Sequence, residues 1–292
     1  MMTVYAPAKI NLVLEVLGKY NDYHQISSIL QTINLYDILN FKLAGEITFK
    51  CSEPSLEHNN LVITTARLLK KEAKYDGGAQ IELDKNIPWG VGLGGGSSDA
   101  AATLLTLNEL WGLKLSTSSL AHLAAKLGSD VPFFIYGGTA LVEGEGEKIT
   151  PLPSLAPACF VLLVPPLPKI QDKTKQLYAK LNASYFTKGQ FVRTAWLSLM
   201  RRKTIPSSLM FNVFEKVAFD FFPGLAKYKK SFEEVGASSV HLAGSGPCFF
   251  TLAYGERETH KLCLRLRKQG LECYVANSVI GGNGKGKKEK MA

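Results

Sequence analysis

A glycine-rich run, Pro88-Trp-Gly-Val-Gly-Leu-Gly-Gly-Gly-Ser-Ser98, is the part of the sequence that points most directly to chemistry. Five of the seven residues from 90 to 96 are glycines, which let backbone N–H groups turn inward without a Cβ clash. A helical pattern follows directly, so the positive end of the helix dipole would lie at the same place. This combination predicts a polyphosphate-binding loop. The predicted binding residues are Pro88, Gly90, Gly92, Leu93, Gly94, Gly95, Gly96, Ser97 and Ser98, with the two serines at the mouth of the helix.

Two better-known phosphate motifs fit the sequence poorly. The loop satisfies the dinucleotide pattern G-x-G-x-x-G, but Pro88 and Trp89 separate it from any preceding strand. The acidic residue that this motif needs is absent from the end of a following strand, because Glu109 falls inside the predicted helix. A Walker A start near the C-terminus fails because Lys288 replaces Ser or Thr. We therefore reject both motifs.

A second glycine turn, Leu242-Ala-Gly-Ser-Gly-Pro247, joins two apolar runs. Taken alone, it is typical of a plain hairpin turn. A first loop that already binds phosphate favours the interpretation that this second one closes the same site. The residues concerned are Gly244, Ser245 and Gly246.

Three other places carry polar groups that could act in such a site. Lys9 and Asn11 lie within an apolar N-terminal run, where an unpaired buried charge is costly, so Lys9 must reach a polar partner. Asp130 is typical of a helix N-cap, and the functional alternative is a carboxylate held near a cation beside an acceptor hydroxyl. The pair Tyr23-His24 offers an aromatic face beside a hydrogen-bonding ring, or simply occupies a surface loop.

The elements that must position these residues indicate an α+β protein of two domains. In residues 1–155, strand patterns over Thr3–Val16, 37–51 and Gln80–Leu83 alternate with helical patterns over 60–74, 98–110 and 117–127. Six prolines between 151 and 168 mark a change, and residues 156–280 read strand, helix, strand, strand, helix, strand, which predicts a ferredoxin-like domain. Within residues 156–280, helices are expected near 209–219 and 224–235. Residues 281–292 are expected to be a disordered basic tail.

Composition narrows the class of protein. The chain has 292 residues and a net charge of +9, which raises a nucleic-acid or membrane-surface partner. The charge is local, however: residues 169–203 hold nine basic residues against one acidic residue, the tail from residue 281 to 292 holds four against one, and the rest of the chain has a net charge of −2. The five cysteines are scattered and never spaced C-x-x-C, which predicts free buried thiols and a reducing compartment. No metal-ligand spacing, membrane span or signal peptide is found, so we expect a cytoplasmic protein without a protein-bound metal.

Three motifs, in this order, resemble those of the GHMP small-molecule kinase superfamily: Pro7-Ala-Lys-Ile-Asn-Leu12, the glycine-rich loop, and Leu242-Ala-Gly-Ser-Gly-Pro247. The resemblance covers about residues 3–280 and implies a ribosomal-protein-S5-like N-terminal domain, a ferredoxin-like C-terminal domain, and an active site between them. Tyr23-His24, Leu35-Tyr-Asp37 and Gly128-Ser-Asp-Val-Pro-Phe133 resemble the branch that phosphorylates a cytidine-diphosphate sugar alcohol on the non-mevalonate route to isoprenoid precursors.

The resemblance also implies roles for individual residues. Asp130 would accept the proton of the attacking hydroxyl, and Lys9 would keep Asp130 ionised and polarise that hydroxyl. ATP, together with Mg²⁺, would lie on the first glycine loop. The acceptor would be held by Asn11, Tyr23, His24, Thr174 and Tyr178, with Tyr23 stacking on the cytosine and His24 hydrogen bonding to it. Asp22, where the family usually has glycine, is the one visible departure.

Two alternatives stay open at this point. One is another kinase of the superfamily, acting on mevalonate, homoserine or a sugar. The other is a nucleic-acid-binding protein that uses the aromatic and basic residues of 169–203 as stacking platforms and phosphate contacts. We favour the small-molecule kinase without a nucleic-acid or membrane partner, as a monomer or weak homodimer, in which some of these lysines steer polyanionic substrates.

Overall fold

The computed structural model describes residues 1–21, 23–253 and 255–279. Asp22 and the predicted disordered tail of residues 281–292 lie outside this part of the chain. The strands are β1 (Met2–Tyr20), β2 (Tyr23–Ala44), β3 (Thr48–Cys51), β4 (Gly78–Asp84), β5 (Thr139–Gly144), β6 (Lys148–Pro151), β7 (Cys159–Val164), β8 (Phe211–Asn212), β9 (His241–Leu242), β10 (Phe249–Ala253) and β11 (Glu272–Asn277). The helices are α1 (Leu61–Ala73), α2 (Gly95–Leu110), α3 (Thr117–Ala125), α4 (Val131–Tyr136), α5 (Lys173–Lys180), α6 (Gln190–Arg202), α7 (Ala218–Phe221), α8 (Leu225–Glu234) and α9 (Glu256–Lys268).

A long antiparallel hairpin, β1 paired with β2, forms the centre of the first sheet. The strand order is β3-β4-β2-β1-β8, and β5 pairs with both β2 and β6. β1 continues through Pro7 because the register with β2 shifts between Pro7 and Ala8, which accommodates the missing N–H of proline. One face of this sheet is covered by α2, whose buried residues include Leu104 and Leu107.

The second sheet has the order β11-β7-β10-β9 and all its pairs are antiparallel. When the four strands are numbered along the chain, their order in the sheet is 4-1-3-2. This strand order, with α8 and α9 as the crossing helices, matches the predicted ferredoxin-like domain. The boundary at residue 155 stays a prediction. β8, from the second half of the sequence, pairs in parallel with β1 of the first sheet, so the two halves share a sheet.

The prediction of a helix near residues 209–219 is wrong. That stretch contains a 3₁₀ turn (Ser207–Leu209), β8, a second 3₁₀ turn (Val213–Lys216) and the start of the four-residue α7. The Asn212 side chain accepts a hydrogen bond from the N–H of Phe214 at 3.0 Å, which turns the chain instead of extending a helix.

The prediction of five free buried thiols is also wrong in part. Cys263 of α9 and Cys273 of β11 form a disulfide, with their Cα atoms 5.9 Å apart. The two are ten residues apart in sequence, and the pair meets because α9 packs back onto β11. Cys51 and Cys248 are free and buried, whereas Cys159 is free and half-buried. The disulfide removes the cysteine-based argument for a reducing compartment.

Candidate active site

A cavity of about 430 Å³ lies where the first glycine loop, the second glycine loop, β1 and α5 meet. Fifteen of the residues singled out from the sequence line it: Lys9, Asn11, Pro88, Gly90, Gly92, Leu93, Gly94, Gly95, Gly96, Ser97, Asp130, Thr174, Tyr178, Gly244 and Ser245. Four others, Tyr23, His24, Ser98 and Gly246, are not part of the lining.

The first glycine loop owes its shape to positive φ angles. Gly90, Gly92 and Gly94 have φ values of 76°, 98° and 74°, a region that other residues rarely adopt. Gly94 is the N-cap of α2, which begins at Gly95, three residues earlier than predicted. Ser98 therefore lies inside the first turn, where its N–H donates to the Gly94 carbonyl at 2.9 Å and its buried hydroxyl has no hydrogen-bond partner among the described residues.

The two glycine loops are packed against each other. A Cβ on Gly92 would overlap the carbonyl oxygen of Ala243, so only glycine permits this approach. The N–H of Cys248 donates to the Val91 carbonyl at 3.2 Å, and Asn212 Nδ2 donates to the carbonyl of Gly244 at 2.8 Å. The second loop is therefore a hairpin turn between β9 and β10 that also packs against the first loop. That it closes a phosphate site stays a prediction.

Lys9 and Asp130 face each other at the floor of the cavity. Lys9 Nζ lies 3.4 Å from Asp130 Oδ2 and donates to Asn11 Oδ1 at 2.7 Å. The Lys9 N–H donates to the Leu93 carbonyl at 2.9 Å, which ties β1 to the first glycine loop. Asn11 in turn donates to the Ser28 hydroxyl at 2.9 Å. These bonds hold the lysine in one place while its charge points into the cavity.

The side chain of Asp130 stays available for chemistry. Asp130 occupies the N-cap position of α4, but its side chain makes no capping hydrogen bond. That side chain is 44% exposed, against 4% for Lys9. The capping role that the sequence allowed is therefore not seen, and the carboxylate projects toward the cavity with the lysine as its partner.

Aromatic rings gather at one end of the cavity. His24 stacks on Tyr178 with ring centroids 4.8 Å apart, and Phe214 meets Tyr178 edge-on at 4.9 Å. Burial, followed by the charge of Lys19, lowers the pKa of His24, so the imidazole is neutral near pH 7. Tyr23 is 61% exposed and stands apart from this group. The structure thus brings His24 and Tyr178 together and leaves Tyr23 at the surface.

Helix α5 is joined to the second glycine loop at two points. The hydroxyls of Thr174 and Ser245 lie 2.9 Å apart in a hydrogen bond, and Lys173 Nζ donates to the Gly246 carbonyl oxygen. Of the nine basic residues between 169 and 203, Lys173 is the one that lines this cavity within the described part of the chain. The Lys169 ammonium lies over the Trp89 ring, 2.9 Å from its centroid, at the neighbouring edge.

Sequence reasoning missed a buried ionic cluster beneath the first loop. Lys85 Nζ donates to Asp99 Oδ2 at 3.0 Å and to Asp37 Oδ2. The other oxygen of Asp37 accepts from the N–H groups of Asn86 and Ile87 at 2.7 and 2.8 Å. Burial, then the charge of Asp37, raises the pKa of Asp99. The motif Leu35-Tyr-Asp37 was the only available signal for this cluster.

The residues present do not build a metal cage. Within residues 1–21, 23–253 and 255–279, no group of three or more His, Cys, Asp or Glu side chains is arranged to hold a metal ion. Lys85 already occupies one oxygen of Asp99, the carboxylate closest to the first loop by sequence. The other oxygen of Asp99, Oδ1, is buried and has no hydrogen-bond partner among the described residues. In the same described residues, no helix is both long and apolar enough to cross a bilayer.

Two family models match the chain. The GHMP kinases N terminal domain matches residues 60–138, and the GHMP kinases C terminal model matches residues 196–270. Together with the two-domain fold and the packed glycine loops, these matches define a small-molecule kinase fold. The chain belongs to the GHMP kinase family.

Similar proteins within this family point to one kind of kinase. A protein of Dehalococcoides mccartyi strain 195, named 4-diphosphocytidyl-2-C-methyl-D-erythritol kinase, is 42% identical over 96% of this chain and 99% of its own length. A protein of the same name from Geobacillus sp. strain WCH70 is 38% identical over 91% of this chain and 93% of its own. A crystal structure of 4-(cytidine 5'-diphospho)-2C-methyl-D-erythritol kinase has a TM-score of 0.81 and 33% identity, covering 96% of this chain and all of that one.

Proposed function

We propose that this chain transfers the γ-phosphoryl group of ATP to the 2-hydroxyl of 4-diphosphocytidyl-2-C-methyl-D-erythritol, a step toward isoprenoid precursors on the non-mevalonate route. The Dehalococcoides and Geobacillus proteins reported above have the name of this kinase, and their similarity to this chain extends over nearly their whole length. The single structural observation that supports the proposal best is the pair Lys9–Asp130, 3.4 Å apart beside two packed glycine loops. A polyphosphate loop, a cation and an available carboxylate are the groups that phosphoryl transfer to a hydroxyl requires.

The first glycine loop would hold the nucleotide phosphates. Its backbone N–H groups and the start of α2 offer donors and a positive dipole end to anionic oxygens. Mg²⁺ bound with the nucleotide would neutralise part of the phosphate charge. The chain's own contribution on this side is positional, because Gly94 lets the loop lie against the Lys9 side chain and Gly92 lets it approach the second glycine loop.

Asp130 and Lys9 would act at the acceptor hydroxyl. The Asp130 carboxylate accepts the hydroxyl proton as the oxygen attacks phosphorus, and a positioned base of this kind contributes about 10²–10⁴-fold. The Lys9 ammonium donates to the same oxygen and compensates its developing negative charge. Asn11 holds the lysine in place through the 2.7 Å bond to its side chain.

The acceptor's cytosine would lie at the aromatic end of the cavity. His24, stacked on Tyr178, offers ring nitrogens for hydrogen bonds in its neutral form. Thr174 lies on the same helix as Tyr178 and would complete this pocket. Tyr23 would have to turn from its exposed position to stack on the base, so its role in this proposal depends on movement when substrate binds.

An ADP-release assay tests the function. The diphosphocytidyl substrate is compared with mevalonate, homoserine and galactose, and turnover should be confined to the first. Turnover with another acceptor alone would contradict the proposal. Salt-sensitive oligonucleotide binding without any kinase activity would instead support the nucleic-acid alternative.

A variant tests the assignment of the base. Asp130→Asn should lower kcat by about 10²–10⁴-fold while ATP binding persists, because it removes the proton acceptor and leaves the glycine loops intact. Near-normal turnover would return Asp130 to a structural role.

We further propose that the protein works in the cytoplasm and that it is a monomer or weak homodimer. Gel filtration of the purified chain would test the oligomeric state.

A further inference from the structure

Lys173, the first residue of α5, is a buried cation that the proposed mechanism leaves unused. The residue is 8% exposed and lines the cavity on the side of the second glycine loop. Its Nζ donates to the carbonyl oxygen of Gly246. Because a buried lysine is rare unless it is paired, its position inside a ligand cavity needs a reason.

The surroundings of Lys173 do not supply a counter-ion. Within the described ranges no carboxylate lies at salt-bridge distance from its Nζ. The charges that act on it are those of Lys9 on β1 and the thiol of Cys248, just before β10. Burial raises the pKa of that thiol, so it stays neutral. Lys169 and Glu272 line a neighbouring cavity together with Lys173. Asp172, which precedes Lys173, has an exposed side chain and makes no capping bond to α5.

A purely structural clamp does not explain this lysine. An ammonium carries three donors, and the structure provides one acceptor, the Gly246 carbonyl oxygen. The hydrogen bond between Thr174 and Ser245 already fastens α5 to the same loop. A neutral side chain could hold that carbonyl at lower cost in desolvation, so the remaining donors call for an anion.

We propose that Lys173 binds a phosphate oxygen of a substrate inside this cavity and takes up a proton as it does so. The proposal rests on the kinase function proposed above. The oxygen belongs either to the diphosphate of the cytidine-linked acceptor or to the transferred end of the nucleotide, since both would lie in the cavity that Lys9, Lys173 and the two glycine loops line. In either case Lys173 supplies a second cation in the cavity that Lys9 also lines.

The proton uptake follows from the charge balance. Burial, and then the nearby charge of Lys9, lowers the pKa of Lys173 to about 7 in the free protein. A bound phosphate oxygen favours the ammonium, which raises the pKa again. Above pH 7 the free protein has lost this proton and must recover it on binding, so affinity should fall by about tenfold between pH 7 and pH 8.5.

Calorimetry on the unmodified protein measures this directly. The diphosphocytidyl acceptor, and separately a non-hydrolysable ATP analogue with Mg²⁺, are titrated at pH 8 in buffers with different heats of ionisation. The ligand that contacts Lys173 should take up about one proton on binding, because about nine-tenths of the free lysine is neutral at that pH. The arm that shows the uptake identifies the source of the phosphate. No uptake with either ligand would overturn the proposal.

Two variants assign the proton to this residue. Lys173→Arg stays charged at pH 8, so binding should persist while the uptake disappears. Lys175→Met removes an exposed charge from the same helix and should leave the uptake unchanged. Uptake that persists in Lys173→Arg would overturn the proposal. If that variant does not fold, the measurement on the unmodified protein still decides.

The kinase assay separates the two proposals. A protein that phosphorylates the diphosphocytidyl acceptor without proton uptake at pH 8 would contradict only the role of Lys173. A protein that neither binds nor phosphorylates that acceptor would contradict the proposed function itself.

Discussion

The contact between the two glycine loops is tested by comparing Gly92→Ala with Gly90→Ala. Both glycines have positive φ, at 98° and 76°, so each alanine pays a similar backbone penalty of about 1–2 kcal/mol. They differ in their surroundings: a Cβ at Gly90 meets nothing within 4 Å, whereas a Cβ at Gly92 overlaps the carbonyl oxygen of Ala243. Gly90→Ala is therefore the matched control for backbone strain.

The overlap sets the size of the expected effect. To relieve it, the loops must separate by about 1 Å, and a misplacement of that size can cost about 10²-fold in rate. Overpacking should also lower the free energy of unfolding by about 1–3 kcal/mol beyond the loss in Gly90→Ala. Urea denaturation and kcat for the diphosphocytidyl acceptor measure the two effects. Equal stability and equal kcat in the two variants would refute the idea that close loop packing shapes the site.

Three further predictions concern buried titratable groups. Glu15→Leu leaves the N–H of Val192, now 2.7 Å from the carboxylate, unpaired at the start of α6, and should cost about 1–3 kcal/mol in urea denaturation. Glu15→Gln keeps an acceptor and should cost clearly less; equal losses would contradict this reasoning. Asp37→Asn removes the buried partner of a lysine and should lower the free energy of unfolding by about 3–5 kcal/mol. Asp99→Asn changes a carboxyl whose pKa is raised by burial and by Asp37, so it should lower that free energy by less than about 1 kcal/mol. If thermal denaturation shows a larger loss for Asp99→Asn than for Asp37→Asn, Asp99 and not Asp37 is the charged partner of the lysine. Burial lowers the pKa of His241 to about 4, so stability present above pH 6.5 should be lost as the pH falls toward 4, by at most about 1.4 kcal/mol per pH unit. His241→Asn should flatten that part of the stability–pH curve, and parallel curves for the two proteins would count against it.

The local parts of the fold follow from patterns within short windows of sequence. The predicted strand at Gln80–Leu83 and the predicted helix at 60–74 agree with β4 and α1, because alternation or helical spacing of apolar residues is visible within each segment. The start of α2 was placed three residues late because glycine has poor helix propensity. Tertiary packing nevertheless draws Gly95, Gly96 and Ser97 into the first turn.

Such local patterns did not predict the contacts between residues that are far apart in the sequence. The Lys85–Asp37 bond spans 48 residues and the Lys173–Gly246 bond spans 73. No local spacing marks these pairs, because each residue reads as an ordinary polar residue in its own segment. The same holds for the Cys263–Cys273 disulfide, since the spacing of ten residues becomes informative only once α9 is packed against β11.

The sequence by itself determined the chemistry that this protein could perform. Glycines that permit positive φ ahead of a helix are properties of residue type and order, and they pointed to phosphate binding. The roles of Lys9 and Asp130 came from the resemblance of the motifs to those of the GHMP kinases. Only the tertiary structure decided which of these groups meet. It brought Lys9 to Asp130, stacked His24 on Tyr178 while leaving Tyr23 outside, and selected Lys173 from nine basic residues. The physical reason is that distance and burial, which set charge and hydrogen bonding, arise from packing between segments and have no counterpart in a single stretch of sequence.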